Sequence, residues 1–508
     1  MEYIQGTPRD QLYLFNECID NLVEGNNPVR IIDVYVESID LASLDFILPE
    51  LRTGKPPYRP ELLLKIYIYG YNERIRSSRR LEKECQRNKE MIWLTEGLSP
   101  DFKTIADFRK NNKRAIMNIF KEFLMFCKQA GLLSLETVGI DGTKMRAQNS
   151  RNNVYRREEI GKIQKRIQEK IDEYLSVLDK EDEKEGEDIK TNKNEVEEVV
   201  NRLKKLKRHK NKVDEIKNLF EGDKSLDIYF ATDNDARFQN DGGKIRAGYN
   251  SQIAGDEKNK LIIVNDVTNE SNDLKQMSPM IMKLEEVKEA LGIGSKTKAI
   301  MDAGYDSEQE ILKNKDNKGI DIIVADKKES SKNKDYKNGK ERVPGKGFKA
   351  EDFIYNKEKD TYICPEGKEL KKTHKKTSKE KSGREVFEYQ CYECNECKSR
   401  NNCTNNKRGR SIKVSVNKEV LDNFKKRMQE VKNKKLISRR KEIIEHPFGT
   451  IKRNLGFTYF MQKGLEKVKT EFSLICFTYN FKRVINILGV EGFLKEIERQ
   501  KQLKLAIN

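Results

Sequence analysis

Short apolar runs alternate with helical patterns between residues 136 and 330, and Asp141 and Asp302 each directly follow one of these runs. The runs ETVGI, KAIM and IDIIVAD have the length and the β-branched content of buried strands, and a helical pattern extends from roughly Leu274 to Leu291. Strands that alternate with helices bury their apolar faces by packing in layers. The pattern predicts an α/β sheet in which Asp141 ends the first strand and Asp302 ends a later one.

Asp141 and Asp302 are candidate metal ligands. Carboxylates at the ends of neighbouring strands converge, and two divalent ions held between them can activate an attacking oxygen and stabilise a leaving oxygen. Magnesium prefers such oxygen ligands. Asp141 also precedes Gly142, and an Asp-Gly pair is common in hairpin turns, so a turn is the alternative explanation for this residue.

A third acidic candidate, Glu445, lies with Lys452 in the basic segment RRKEIIEHPFGTIKRNLG. Seven residues make nearly two helical turns, so both side chains would project from one helical face, one as a metal ligand and one as a phosphate contact. Pro447 lies between them, and a proline starts a helix or kinks it. An ordinary exposed Glu and Lys pair is the alternative.

Five of the nine cysteines fall in one short region, which indicates metal ligation rather than disulfides in a reducing compartment. They are Cys364, Cys391, Cys394, Cys397 and Cys403. Structural zinc takes four ligands, so the ligand set among these five thiols is open, and His374 is a further candidate. A redox-active or metal-free cysteine knuckle is the alternative.

The net charge of the chain indicates which class of molecule it binds. Lys and Arg together number 101 against 83 for Asp and Glu, a formal net charge of +18. Excess positive charge favours a polyanionic partner, either nucleic acid or an anionic membrane surface. No run of about 18 apolar residues occurs, and the start MEYIQGTPRDQLYLF does not resemble a secretory signal. We expect a cytoplasmic, nucleoid-associated protein.

Two further regions have helical patterns. Residues 1–135 combine helical apolar spacing with clustered arginines, among them Arg76 and Arg79, which suits DNA binding as well as a solvated helical bundle. Residues 155–221 are highly charged and carry two apolar stripes separated by the polar stretch EDEKEGEDIKTNK. They predict a helical hairpin inserted into the α/β domain.

Several motifs occur in a consistent order along nearly the whole chain. They are YRPELLLKIYIYGYNERIRSSRRLEKEC, GIDGTK, DNDARF, GYNSQIAGDEKNKLIIVNDVTNESND, MDAGYDS, CPEG, CYECNECKSRNNC and IEHPFGTIKR. Together they resemble DDE transposases of the bacterial IS1182 type, within the IS4/IS5-like group. The resemblance implies a ribonuclease H-like catalytic domain with a mixed sheet. It also implies that Asp141, Asp302 and Glu445 are the metal-binding acidic triad, holding two Mg²⁺ or Mn²⁺ ions.

One motif departs from the family pattern. Related transposases carry Tyr, two residues, Arg, three residues, Glu, six residues and Lys, and the corresponding residues here are Ser438, Lys441, Glu445 and Lys452. The Tyr and Arg are absent, although basic side chains nearby can contact phosphate. The predicted DNA-binding residues are Lys144, Arg439, Arg440, Lys441 and Lys452.

The predicted organisation follows from these patterns and the resemblance. It comprises an N-terminal helical DNA-binding domain (1–135), the first part of the catalytic domain (136–330), a Lys-rich zinc-binding insertion (331–415), C-terminal catalytic helices (416–488) and a tail (489–508). The implied function is binding of the inverted-repeat ends of an insertion sequence in double-stranded DNA, with metal-dependent strand cleavage and strand transfer. Synapsis of two ends implies at least a homodimer on DNA. The alternative is a transposase-derived DNA-binding regulator without catalytic activity.

Overall fold

The computed structural model describes residues 18–47, 56–184, 193–326, 348–373, 377–380 and 384–507. Its α-helices are α1 (Val29–Glu37), α2 (Pro60–Asn72), α3 (Ser78–Arg87), α4 (Lys89–Leu94), α5 (Phe102–Asn111), α6 (Lys113–Gln129), α7 (Ile160–Lys184), α8 (Lys193–Gly222), α9 (Met277–Ala290), α10 (Glu308–Lys313), α11 (Arg400–Cys403), α12 (Lys418–Gln429), α13 (Val431–Gly449) and α14 (Leu465–Ile507).

The strands form a large mixed sheet, a smaller sheet near the cysteines and a two-stranded ladder. They are β1 (Thr137–Arg146), β2 (Val154–Arg156), β3 (Ile228–Phe230), β4 (Arg237–Asp241), β5 (Lys244–Asp256), β6 (Ile262–Thr268), β7 (Thr297–Met301), β8 (Ile320–Val324), β9 (Ile354–Asn356), β10 (Thr361–Ile363), β11 (Glu369–Lys372), β12 (Ser378–Lys379), β13 (Glu385–Gln390) and β14 (Ser411–Ser415).

The large sheet is built around β1. One edge of β1 pairs with β5 in antiparallel orientation, and the other edge pairs with β7 in parallel orientation, followed by parallel β8. Strands β4 and β6 both pair with the far edge of β5, each with a different half of that strand. This arrangement confirms the predicted mixed α/β architecture with a helical N-terminal region. It also places Gly139 opposite Ile300 of β7, so Asp141 and Asp302 lie on adjacent strands or just beyond them.

Strand β1 continues well past Asp141, contrary to the prediction that it ends there. Asp141 pairs with Ile253 and Gly142 with Gln252, and the ladder with β5 extends to Arg146. The Asp-Gly pair is therefore part of a strand, and the hairpin-turn alternative is wrong. The long partner strand β5 explains the difference, because cross-strand pairing overrides the turn preference of the dipeptide.

Helix α13 packs closely on the sheet because the strands carry glycine at the contact. A Cβ added at Gly139 would lie 3.0 Å from the side chain of Ile444 and 3.2 Å from that of Ile443. Gly255, opposite Gly139 in β5, faces the same two isoleucines. Pro447 lies inside α13, which then continues into a π-helical turn over Thr450–Asn454.

The N-terminal helices share one core with the C-terminal helix α14. The Tyr35 ring lies 6.1 Å from that of Phe477, and the Phe126 ring stacks 5.0 Å from that of Phe493. Phe493 is fully buried, although it belongs to the segment expected to be a tail. Helix α14 bends at Gly489, where φ is +68°, and its second half thereby packs back onto the N-terminal helices.

Helices α7 and α8 form the predicted hairpin, and β2 and β3 pair at its base. The hairpin has a small core of its own that includes Ile167, Ile171, Ile216 and Phe220. Part of the polar stretch between the two helices lies outside the described residues.

The cysteine region folds as a small antiparallel sheet, which the sequence patterns did not predict. Strands β9 to β14 surround a compact core that includes Phe353, Tyr362, Leu370 and Ile412. These strands are short and polar on one face, so their apolar alternation is weak. Much of the predicted Lys-rich stretch, and His374, lie outside the described residues. Within the described part of the chain, no helix has the length and apolar character needed to span a membrane.

Candidate functional site

Asp141 and Asp302 lie close enough for their charges to interact. Asp302 directly follows β7, and its Oδ1 accepts a hydrogen bond from the backbone N–H of Gly304 at 2.8 Å. Burial raises the pKa of Asp141 to about 6, where the neighbouring Arg440 opposes the rise and the negative charge of Asp302 adds to it. The structure therefore brings these two predicted site residues together.

A third carboxylate, that of Asp273, belongs to the same cluster and was not predicted as a site residue. It lies in the loop between β6 and α9, and two amide side chains of β5 hold it in place. Asn250 Nδ2 and Gln252 Nε2 each donate a hydrogen bond to Asp273 Oδ1 at 2.7 Å. Asn250 and Gln252 are fully buried, which fixes the orientation of the carboxylate.

Two glycines make room for this group of acids. A Cβ added at Gly304 would lie 2.9 Å from Oδ1 of Asp302 and 3.5 Å from Oδ2 of Asp273. A Cβ added at Gly142, next to Asp141, would lie 2.7 Å from Oδ1 of Asp273. A side chain at either glycine would therefore collide with these acidic groups.

Two cationic side chains neutralise part of this negative charge. Arg440 of α13 donates a short hydrogen bond to Oδ2 of Asp141, and its side chain is largely buried. The ammonium group of Lys144 lies 3.8 Å from Oδ1 of Asp273. Burial lowers the pKa of Lys144, whereas the nearby carboxylates of Asp273, Asp141 and Asp302 oppose that change. Both residues were predicted to contact DNA, but here their charged groups pair with the acids.

Glu445 follows the two isoleucines that pack α13 against the sheet, and it is exposed. The acidic neighbour that acts on Asp141 is Asp302, and the role of Glu445 as the third triad member stays a prediction. Lys452 lies against β1, where its Nζ donates to the backbone carbonyl of Lys144 at 2.9 Å. Burial lowers the pKa of Lys452, and its ammonium group lies near the strand that carries Asp141.

The remaining predicted DNA contacts differ in their exposure. Lys441 is exposed, and Arg439 forms an ion pair with Glu257 at the end of β5. Arg76, in the N-terminal arginine cluster, is buried and donates to the Tyr459 carbonyl at 2.6 Å. It also pairs with Glu471 of α14 at 3.2 Å, so Arg76 serves the core rather than a DNA surface.

Comparison with protein families gives two matches. Residues 363–485 match a family model described as Transposase DDE domain, and residues 17–111 match one described as Transposase domain (DUF772). The two matches indicate a DDE transposase of the IS1182 type. The first match includes Glu445, Lys452 and the cysteine region of this transposase, whereas Asp141 and Asp302 lie outside both. No curated protein matches the chain.

All five clustered cysteines of the transposase line one cavity of about 20 Å³, the size of roughly one water molecule. Backbone N–H groups point at two of the sulfurs, from Lys368 to Cys364 at 3.2 Å and from Arg410 to Cys394 at 3.4 Å. Burial raises the pKa of Cys391 to about 12 and also raises that of Cys403, which favours neutral thiols.

Neither the acidic cluster nor the cysteine cluster is a preformed metal site. In the parts of the chain that the structure describes, no three His, Cys, Asp or Glu side chains are grouped so that they could hold a metal ion. In the acidic cluster, the charged groups of Arg440 and Lys144 lie beside the carboxylates of Asp141 and Asp273 and offset part of their negative charge.

Proposed function

We propose that this transposase binds the inverted-repeat ends of an insertion sequence and catalyses metal-dependent DNA cleavage and strand transfer. The observation that supports the proposal is the proximity of the Asp141 carboxylate, on the central strand, to that of Asp302, directly after the adjacent strand, with Asp273 next to Asp302. Carboxylates clustered in this way are the donor set that magnesium prefers. The natural substrate is double-stranded DNA of the nucleoid, and synapsis of two ends requires at least a homodimer.

The strand arrangement supports a ribonuclease H-like catalytic domain. In such a domain three antiparallel strands are followed by two strands parallel to the first, and β1, β5, β6, β7 and β8 have this order and these directions. The first catalytic aspartate then belongs to the central strand, as Asp141 does. The inserted hairpin and the cysteine sheet are additions that leave this arrangement intact.

The residues fit divalent magnesium or manganese by the chemistry of their donors. Asp141 and Asp302 would hold the ions, Asp273 would add a further carboxylate, and the exposed Glu445 would complete the set. When bound, two such ions activate an attacking oxygen and stabilise the leaving oxygen in an in-line displacement at phosphorus. Arg440 and Lys144 would offset part of the negative charge of these carboxylates.

The basic residues near Asp141 contact the phosphates of the DNA substrate. Lys452, held against β1 by its bond to the Lys144 carbonyl, is positioned to bind a phosphate near Asp141. Arg440, which pairs with Asp141, places a positive charge beside the same carboxylate. Lys441 is exposed on the same helix and serves the DNA backbone.

A cleavage assay tests this proposal. Supercoiled DNA carrying the native element ends is incubated with Mg²⁺ or Mn²⁺ and either wild-type protein or Asp141→Asn, with Asp316→Asn as an exposed control. We expect wild type and Asp316→Asn to nick and Asp141→Asn to be inactive while still shifting the DNA on a gel. If wild type and Asp141→Asn are equally inert yet both shift the DNA, the chain is a DNA-binding regulator instead.

The same assay with Asp273→Asn and Glu445→Gln ranks the two candidates for the remaining ligand position. Loss of cleavage in both variants assigns both carboxylates to the metal. If only Glu445→Gln is inactive, Asp273 is an anchor for Lys144 rather than a ligand. If only Asp273→Asn is inactive, the triad predicted from the sequence is incorrect.

We also propose that the cysteine cluster binds one structural zinc ion. The support is that five thiols line a cavity with room for one atom, with N–H groups directed at two sulfurs. Zinc favours the thiolate, which burial alone disfavours here. Elemental analysis of protein purified without added metal should give one zinc per chain, and Cys394→Ser should lose it. Much less than one equivalent in wild type would refute the zinc site without affecting the acidic site.

A further inference from the structure

A groove of about 1260 Å³ lies between the base of the helical hairpin and the large sheet. Three arginines line it: Arg146 at the end of β1, Arg156 at the end of β2 and Arg246 in β5. The acidic residue in the lining is Glu159. The groove is therefore cationic and suits an anionic ligand.

The groove also presents flat apolar surfaces beside the arginines. The guanidinium of Arg146 lies 5.7 Å from the ring centre of Tyr459, which is 36% exposed. The guanidinium of Arg156 lies 5.8 Å from the ring of Phe238. Ile245, also in the lining, is 64% exposed, an unusual degree for an isoleucine. Aromatic rings combined with arginine planes are the surfaces on which nucleic-acid bases stack.

Amide side chains complete the lining. Gln148, Asn149 and Asn153 lie in the segment that connects β1 to β2. The amides of Asn149 and Asn153 hydrogen-bond to Ser150 and Thr232 and so shape this segment. The groove therefore matches phosphate through its arginines and base faces through its aromatic rings.

The hairpin forms one wall of the groove. Val154 and Arg156 line the groove, whereas Tyr155 between them contacts helix α8. Its hydroxyl lies 3.2 Å from Nε2 of His209, and its ring lies 5.9 Å from the ammonium group of Lys212. The contacts of Tyr155 with α8 thus hold β2 in place, so the hairpin supports this wall from behind.

The groove is within reach of a DNA strand bound at the catalytic centre. Arg146 follows Asp141 by five residues on the same strand, a distance of roughly 17 Å at the usual rise of a β-strand. This length corresponds to about five nucleotides at the spacing of a DNA duplex. A strand with its scissile phosphate at Asp141 can therefore enter the groove.

We propose that this groove binds an unpaired stretch of DNA strand a few nucleotides from the phosphate at which the transposase cuts. The proposal rests on the proposed function. Base faces are accessible to Tyr459 and Phe238 only when the bases are unpaired and unstacked, because a duplex exposes base edges alone. The hairpin wall and the end of β1 together define the entry of the groove.

The test measures binding to the full-length protein in EDTA, so it does not depend on cleavage. The probe is a fluorescein-labelled oligothymidylate of about ten nucleotides, compared with a duplex of the same length. We expect the single strand to bind more tightly than the duplex, and Tyr459→Ala to weaken single-strand binding at least about fivefold. Tyr459→Phe keeps the ring and should bind as wild type does.

Charge variants provide the matched control. Arg246→Ala removes a positive charge from the groove, and Arg166→Ala removes one from an exposed part of the hairpin that does not line it. Only Arg246→Ala should weaken single-strand binding. Because the Tyr459 ring also lies 4.6 Å from the guanidinium of Arg76, thermal unfolding must show that Tyr459→Ala remains folded. If it does not, Arg246→Ala against Arg166→Ala decides the matter alone.

Two results would overturn the inference. One is equal or tighter binding of the duplex, and the other is unchanged single-strand affinity in a folded Tyr459→Ala or in Arg246→Ala. Either result with normal cleavage of the element ends refutes the groove and leaves the proposed function standing. Specific single-strand binding without any end cleavage refutes the proposed function and leaves the groove assignment intact.

Discussion

Replacing Asp141 with asparagine should make the metal-free protein more stable near neutral pH while abolishing cleavage. Burial raises the pKa of Asp141 to about 6, and the ordinary value for aspartate is about 3.9. The folded protein therefore holds this proton more tightly than the unfolded chain does. Ionisation of Asp141 lowers the free energy of unfolding, and this loss grows as the pH rises from about 4 through about 6.

The magnitude follows from the difference between the two pKa values. That difference corresponds to roughly 3 kcal/mol once the group is ionised in both states. The Asp141 side chain is 23% exposed, so water offsets part of this amount, and we expect about 1–2 kcal/mol. Asparagine resembles the neutral acid, so Asp141→Asn should gain this amount at about pH 7.5 and almost nothing at about pH 4.

Urea unfolding in EDTA, followed by the fluorescence of the single tryptophan, Trp93, measures the effect. The exposed control Asp316→Asn should unfold as wild type does at both pH values. Magnesium at about a hundred times its dissociation constant should stabilise wild type by about 2.7 kcal/mol and Asp141→Asn much less. A variant that is less stable than wild type at about pH 7.5 would mean that the ion pair with Arg440 outweighs burial, and the argument would be wrong.

Three other perturbations follow from the structure. Gly139→Ala should lower the free energy of unfolding by about 1–3 kcal/mol in the same urea titrations and reduce cleavage, because the new Cβ would lie 3.0 Å from the Ile444 side chain. Gly161→Ala, which has open space around it, should have neither effect. Arg76→Met should cost about 3 kcal/mol in urea unfolding, since it leaves the fully buried Glu471 without its cationic partner, and a loss below about 1 kcal/mol would count against this ion pair. Magnesium affinity, followed by calorimetry, should fall about tenfold for each pH unit below about 6 if Asp141 is a ligand, because the proton competes for its carboxylate. An affinity independent of pH would exclude Asp141 as a ligand.

The sequence patterns predicted the elements of the large sheet better than the contacts of the site. The alternation of strands and helices depends on local apolar spacing, so the strands between Asp141 and Asp302 could be predicted from that spacing. Arg440 was expected on DNA, yet it pairs with Asp141 because of the way α13 packs on the sheet. That packing depends on glycines far away in sequence, and no local pattern records it.

Asp273 was missed for a related reason. It lies in a polar loop, NESND, whose composition indicates only a turn. Its place near the two predicted aspartates comes from hydrogen bonds to two amides of β5. Two amide residues two positions apart in a buried strand are the signal that could have identified it, because buried amides require partners.

The shared core of the N-terminal helices and α14 has a consequence during synthesis. Phe123 and Phe126 emerge from the ribosome early, but their partners Phe477 and Phe493 are translated several hundred residues later. At ordinary elongation rates this interval is on the order of tens of seconds. Until then the early helices expose their aromatic faces, so a truncated polypeptide from an interrupted message should be a substrate for chaperones and proteases rather than a competitor for the ends of the element.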